Sequence, residues 1–373
     1  MTNIQQTYLE LLKAVIWEDN EFAIERVKEL TGEDVNEVIR LAAFQGTGPL
    51  IYDQLLKMQK LEMTAELRMQ MKQQCMSNMM LQNSMLPILS QAWNALKGAG
   101  IHPVLLKGFG LAQYYPQPYL RQWGDIDIYV GQMQYHEACA VLRSTFFGIP
   151  HPDEDDEERK HYNFDFDNTA IETHRVSMTF SHPCDRRYYE CLEEKCLTKN
   201  GPKVELEGLT VTIPEDTFNL FFTFLHAWHH FVETGMNMKQ VCDVAVLLHA
   251  KRDVINQSRL KEMLTKLHLM EVWQLYMYII ANYLDVPEDE CPLYTDTCRK
   301  RAELLLERVL KESTARRAKK LNANGVSYLK RKWMTFQSRL TDSHLVKTYA
   351  PKYARHMVVG DILHGIERTL QRK

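Results

Sequence analysis

A chain of 373 residues, 45% apolar and 25% charged, has the make-up of a globular protein of two or three compact units and needs no covalent staple. The net charge is only −3, but residues 311–373 carry 15 Lys and Arg against 4 Asp and Glu, a local +11 that leaves −14 on the first 310 residues. The absence of any run near roughly 18 uncharged apolar residues argues against a transmembrane segment. The lack of a basic-then-apolar start argues against a signal peptide, and the eight scattered cysteines without a Cys-x-x-Cys pair argue against structural zinc; reduced thiols in the cytoplasm are the expectation.

Within residues 1–100, apolar residues recur at three- and four-residue steps over 8–16, 21–30, 35–44, 51–58 and 63–96, which predicts helices. Gly46 and Gly48-Pro49 punctuate them, and Gly98 and Gly100 close the last. Met69, Met71, Met76, Met79, Met80 and Met85 are expected to fill core gaps. Residues 103–106 read as a short buried strand. Lys107-Gly108-Phe109-Gly110 reads as a turn into a helix at 111–115, which Pro116 and Pro118 stop. A second strand follows at 125–130 and a helix at 136–144. The acidic run 153–158 is an exposed loop without the ligand spacing of a calcium site. Alternation over 161–167 and 170–178 about Asn168-Thr169 predicts a hairpin, and 203–213, turning at Glu207-Gly208, predicts another. From Glu215 helices run on, with loops at Pro287, Pro292 and Pro351. The reading is an α+β chain: a helical region 1–100, a core of sheet and helices 101–214, a helical lobe 215–310 and a basic helical tail 311–373.

The most informative stretch is 120–130. Asp125 and Asp127 flank Ile126, so in a strand both carboxylates leave one face while Ile126 and Ile128 pack on the other. Two like charges this close repel unless something neutralises them. A divalent cation is the usual answer, and Mg²⁺ favours carboxylates combined with substrate phosphates. The spacing therefore predicts chemistry on phosphorus.

Other residues admit two readings. Lys107 is a phosphate-binding charge or a stem snorkelling from a strand end. Gly108 lets the backbone approach a phosphate or simply turns the chain. Arg121 offers its fork to a phosphate or pairs with Asp125. Tyr114, Tyr115, Tyr119 and Trp123 stack a base or pack over the sheet edge. His226, His229 and His230 are spaced to hold zinc, but without a glutamate between them the preferred reading is satisfied histidines packing near Asp243, itself four residues from Lys239; alternatively this lobe leans over the sheet and reads a base. In the tail, Arg316, Arg317, Lys319, Lys320 and Lys330-Arg331-Lys332 interleave with Tyr328, Trp333 and Phe336. They suit an anionic partner, nucleic acid or an anionic membrane surface, or form a solvated face.

Leu105-Leu106-Lys107-Gly108, Arg121 and Asp125-Ile126-Asp127-Ile128 together resemble the nucleotidyltransferase superfamily that includes DNA polymerase beta. That superfamily has a glycine turn, a helix, a strand with Asp-x-Asp and a third carboxylate on a nearby strand, to which Ile171-Glu172-Thr173-His174 is similar. Within it the chain resembles the bacterial family called uncharacterised nucleotidyltransferases, where Lys-Gly replaces Gly-Ser. Gly48-Pro49-Leu50-Ile51-Tyr52 resembles that family's N-terminal helical motif. His226-Ala227-Trp228-His229-His230 with Gly235, Lys239 and Asp243 resembles the motif after its core.

The resemblance implies a small mixed sheet of the polymerase-beta-like type flanked by helical regions. It implies transfer of a nucleotidyl group from a nucleoside triphosphate such as ATP to a hydroxyl on an unidentified acceptor, with pyrophosphate leaving. One or two Mg²⁺ ions, replaceable by Mn²⁺, would sit on Asp125, Asp127 and Glu172, and Glu172 would complete the metal site or take the acceptor's proton. Lys107, Gly108, Phe109, Gly110, Arg121 and His174 would hold the nucleotide. Phe109 stands where serine is usual, so the charge of Lys107 and the amides of 108–110 would supply the grip. His174 would hydrogen-bond a phosphate or orient Glu172. The rival functions are a nucleotide-binding or regulatory protein without turnover, and a nucleic-acid adaptor acting through the tail.

Overall fold

The structure is a computed structural model that describes residues 1–18, 21–28, 30–58, 61, 63–147, 161–312 and 342–370. The acidic run 153–158 and the clustered basic and aromatic residues of the tail between 316 and 336 lie outside the described residues.

Five helices come first: α1 (Asn3–Trp17), α2 (Glu21–Lys28), α3 (Gly32–Phe44), α4 (Gly48–Lys57) and α5 (Ala65–Gly98). Thr2 and Thr31 cap α1 and α3 through reciprocal boxes in which the third residue's side chain returns to the cap amide. Thr64 caps α5, and Gly100, at φ +80°, turns the chain away from its end. Met71, Cys75, Asn78, Gln82, Met85 and Leu89 form the buried stripe of α5. The expectation that every methionine here fills the core fails for Met69, Met76, Met79 and Met80, which are exposed. They fall off the stripe, and helix phase rather than residue type decides burial.

Next come β1 (Val104–Leu106), α6 (Gly108–Ala112), β2 (Asp125–Tyr129), α7 (Gly131–Phe147), β3 (His161–Phe166), β4 (Thr169–His174), α8 (Pro183–Cys196), β5 (Lys203–Leu206) and β6 (Leu209–Thr212). The main sheet runs β1-β2-β4-β3, and β5 and β6 form a separate pair. β2 is antiparallel to β1 and parallel to β4, and β4 is antiparallel to β3, so the sheet is mixed, as expected. Two details differ from the sequence reading. The β3–β4 turn is Asp167-Asn168, both at positive φ, which suits the twist of a two-residue hairpin; Thr169 already belongs to β4. The helix after Lys107 begins at Gly108 rather than at Leu111.

The remaining helices are α9 (Asp216–Glu233), α10 (Met238–Lys251), α11 (Gln257–Lys266), α12 (Met270–Tyr283), α13 (Arg299–Lys311), α14 (342–349) and α15 (Pro351–Leu370). No helix among the described residues is long and apolar enough to cross a membrane. Helices that the sheet separates in sequence share one core, in which Tyr8, Leu12 and Ile51 meet Phe221, Trp228 and Trp273. A second core fills the apolar face of the sheet, where Ile126, Ile128 and Ile171 pack with Trp93 and Leu142. On the other, acidic face, Val104, Leu106 and Tyr129 join the first core.

Candidate active site

Pairing of β2 with β4 sets Asp127 directly beside Glu172. Residues two apart on a strand share a face, so Asp125, Asp127 and Glu172 converge, and their carboxylate oxygens lie within 4.8 Å of one another. Of the nearby acids, Asp165 pairs with Ala170 and Asp167 lies in the turn.

The Asp127 side chain is fully buried, and its Oδ1 accepts from His174 Nε2 at 2.8 Å and from Lys107 Nζ at 2.8 Å. Because His174 Nε2 also lies 3.4 Å from Glu172 Oε2, that nitrogen carries the proton. His174 therefore holds two carboxylates rather than a phosphate. Glu172 Oε1 accepts from Asn163 Nδ2 at 3.4 Å, and His161 stands 4.0 Å from Oε2. Burial would raise the Asp127 carboxyl, but Lys107 and His174 hold it well below the usual carboxylate range. Asp125 moves the other way, pushed up by the charge of Asp127 and by burial. Burial of Lys107 is more than offset by Asp127 and Asp125, so its ammonium pKa rises. Burial and the charge of Asp127 would raise Glu172, but the His174 hydrogen bond together with the charges of His174 and His161 lowers it.

This donor set fits a hard dication. All three ligand atoms are oxygens. Asp127 Oδ2 is buried without a hydrogen-bond partner, a costly state that a cation would relieve.

The glycine turn delivers Lys107. Its backbone sits at φ 47°, ψ −138°, and Gly108 follows at φ 37°. The first conformation belongs to glycine and stores strain in lysine. Lys107→Gly and Lys107→Ala remove the same ammonium, so their comparison isolates the backbone. The glycine variant is expected to be more stable by about 1–2 kcal/mol after glycine's entropy cost, measured by urea unfolding; equal stability would remove the claim of strain. Phe109 turns its ring into the core against Trp123, with centroids 4.9 Å apart, and both are buried. Tyr115 is buried as well, so two of the four aromatic residues pack against the protein itself.

Arg121 closes its fork on Asp243. It is 3% exposed, donates through Nε and Nη2 to Asp243 at 2.6 and 2.7 Å, and reaches the Gly108 carbonyl through Nη1 at 3.4 Å. Tyr115 Oη also donates to Asp243, at 2.8 Å. In place of the alternative pairing with Asp125, the fork closes a clamp beneath the glycine turn. The expected Lys239–Asp243 helical pair gives way too: Lys239 Nζ donates to the Gln122 carbonyl at 3.0 Å. Burial and the Arg121 charge push Lys239 down to about 8. The 117–124 segment is further tied to α5, where Asn78 and Gln82 donate to the carbonyls of Tyr119 and Trp123 at 2.7 and 3.2 Å. Their place in the stripe 71-75-78-82-85-89 was the sequence signal that could have found them. The histidines of α9 also differ from expectation. His226 Nε2 lies 3.4 Å from Lys107 Nζ and 3.0 Å from His230 Nε2, so the helical lobe does lean over the site.

A family model described as uncharacterised nucleotidyltransferase matches residues 31–285. No curated protein and no solved structure matches the chain.

Proposed function

The chain belongs to the uncharacterised nucleotidyltransferase family, and on that premise we propose that it moves a nucleotidyl group from a nucleoside triphosphate to a hydroxyl acceptor, with Mg²⁺ or Mn²⁺ and with release of pyrophosphate. The observation that carries this reading is the convergence of Asp125, Asp127 and Glu172 within 4.8 Å beside an unpartnered Asp127 Oδ2.

Asp125 and Asp127 would hold the ion, with Glu172 completing the set; when bound it supplies Lewis acidity to the phosphate and lowers the pKa of the attacking hydroxyl. Glu172 would also accept that hydroxyl's proton. His174 fixes the carboxylates of Asp127 and Glu172 in one orientation. Lys107, held by its turn and flanked by His226, offers a buried positive charge to the triphosphate. The segment 101–214 would carry the chemistry, with α9 reaching over it through His226. The reading without turnover draws on Phe109, whose buried ring brings no hydroxyl to the phosphates.

The test is calorimetry with ATP, with and without Mg²⁺, followed by incubation of the protein with α-labelled ATP and cell extract. Mg²⁺-dependent binding and label appearing on an acceptor are expected, with pyrophosphate released in step. Binding without label transfer supports the protein without turnover, and no binding of any nucleotide ends both readings.

A further inference from the structure

Beyond this site, α8, α9 and α15 enclose a cavity of about 610 Å³. In its wall, His182 just before α8 and Asp185 in its first turn meet the sequence-remote His356 on α15. Asp185 is 6% exposed. Its Oδ2 accepts from His356 Nε2 at 2.6 Å, and its Oδ1 lies 3.7 Å from His182 Nδ1. The His182 and His356 rings stack with centroids 4.5 Å apart, and the His268 ring lies 3.8 Å from that of His356. The two helices touch here, because a Cβ on Gly360 would fall 2.9 Å from the His182 amide nitrogen.

One imidazole would satisfy a buried carboxylate. Here a second stands beside it: His182 Nδ1, which accepts from the Cys184 amide at 3.3 Å and so carries a lone pair, and all three candidate ligand atoms lie within 4.8 Å of one another. Bonds of about 2.0–2.2 Å in tetrahedral geometry set ligand atoms roughly 3.5 Å apart, and the two Asp–His separations, 2.6 and 3.7 Å, bracket that value. Two nitrogens and one oxygen suit a borderline dication such as Zn²⁺ rather than Mg²⁺, and the cavity supplies both an entry path and an open coordination position. His356 lies past residue 285, where the family match ends, whereas His182 and Asp185 lie within it.

We infer that His182, Asp185 and His356 form a binding site for a Zn²⁺-class ion that fastens α15 to α8. The carboxylate site is a separate place with different donors. Glu172 belongs both to the three-acid group and to the group it forms with His161 and His174, so Glu172→Gln disables both of those competing groups at once.

The test uses full-length protein stripped with a chelator, held in saturating Mg²⁺ and titrated with Zn²⁺ alone by calorimetry, and with Co²⁺ alone by visible absorption. One equivalent of Zn²⁺ is expected in the unaltered protein and in Glu172→Gln. His356→Gln and, as a second variant of nearly unchanged shape, Asp185→Asn should bind at least about 100-fold more weakly, beyond the cost of losing a mere outer-shell partner. Co²⁺ should give d–d bands that both variants lose, and circular dichroism reports whether each is folded. Failure of the unaltered protein to bind Zn²⁺, or full affinity in a folded His356→Gln or Asp185→Asn protein, overturns the site; so does loss of the equivalent in Glu172→Gln.

Discussion

Asp127→Asn should lower nucleotidyl transfer by about 10³-fold or more while leaving a folded protein. A ligated metal contributes several kcal/mol to transition-state charge stabilisation, and each 1.36 kcal/mol is tenfold in rate, so loss of about 4 kcal/mol gives that factor. Asp125→Asn should cost a similar factor in rate but differ in stability. Asp127 supplies the charge that Lys107 and His174 share, so its neutralisation leaves a buried ammonium with a weaker acceptor and should lower the melting temperature. Asp125 is instead held up by its neighbour's charge; neutralising it removes a repulsion and should leave the melting temperature unchanged or higher. Label transfer, measured beside thermal unfolding, separates the two. Full transfer by the doubly substituted protein would sink the proposed mechanism, and matched melting temperatures would refute the assigned electrostatics.

The parts of the site legible in the sequence are those written in local pattern. Alternation at 125–130 put two carboxylates on one face, and the neighbouring hairpin brought Glu172 to the same spot because strands pair edge to edge over short connections. Phase along α5 was equally readable, although a count of methionines obscured it. What escaped was set by contacts between distant segments. Nothing near Arg121 announces that its fork will close on a carboxylate 122 residues away, since a buried ion pair leaves no periodic trace. The strain at Lys107 was hidden as well, because lysine gives no hint of a positive φ, whereas the adjacent Gly108 does. The contact of His226 with Lys107 depends on how a whole lobe docks. Local sequence thus gave the acids, and tertiary packing decided how the cations would be shared among them.

The clamp beneath the turn should show this division most sharply. Arg121→Met leaves the Asp243 carboxylate buried with Tyr115 as its remaining charge-stabilising donor from this clamp, and breaking one side of such a pair costs about 3–5 kcal/mol. Urea unfolding should register that loss directly. Arg121→Met with Asp243→Leu removes both charges, and paired apolar replacement is often neutral or stabilising, so much of the stability should return. Activity should not return with it. The Gly108 carbonyl loses the Nη1 contact, the Tyr115 hydroxyl loses its acceptor, and the turn that aims Lys107 at Asp127 loses the clamp beneath it. The double variant should therefore bind ATP more weakly and turn over at least tenfold more slowly at a nearly native melting temperature, because positional errors near 1 Å cost rate far more than stability. A double variant as active as the unaltered protein would reduce Arg121 and Asp243 to filling space. One that is stable yet slow would show that the buried pair is kept to aim the Lys107 turn, since apolar side chains could hold the fold without it.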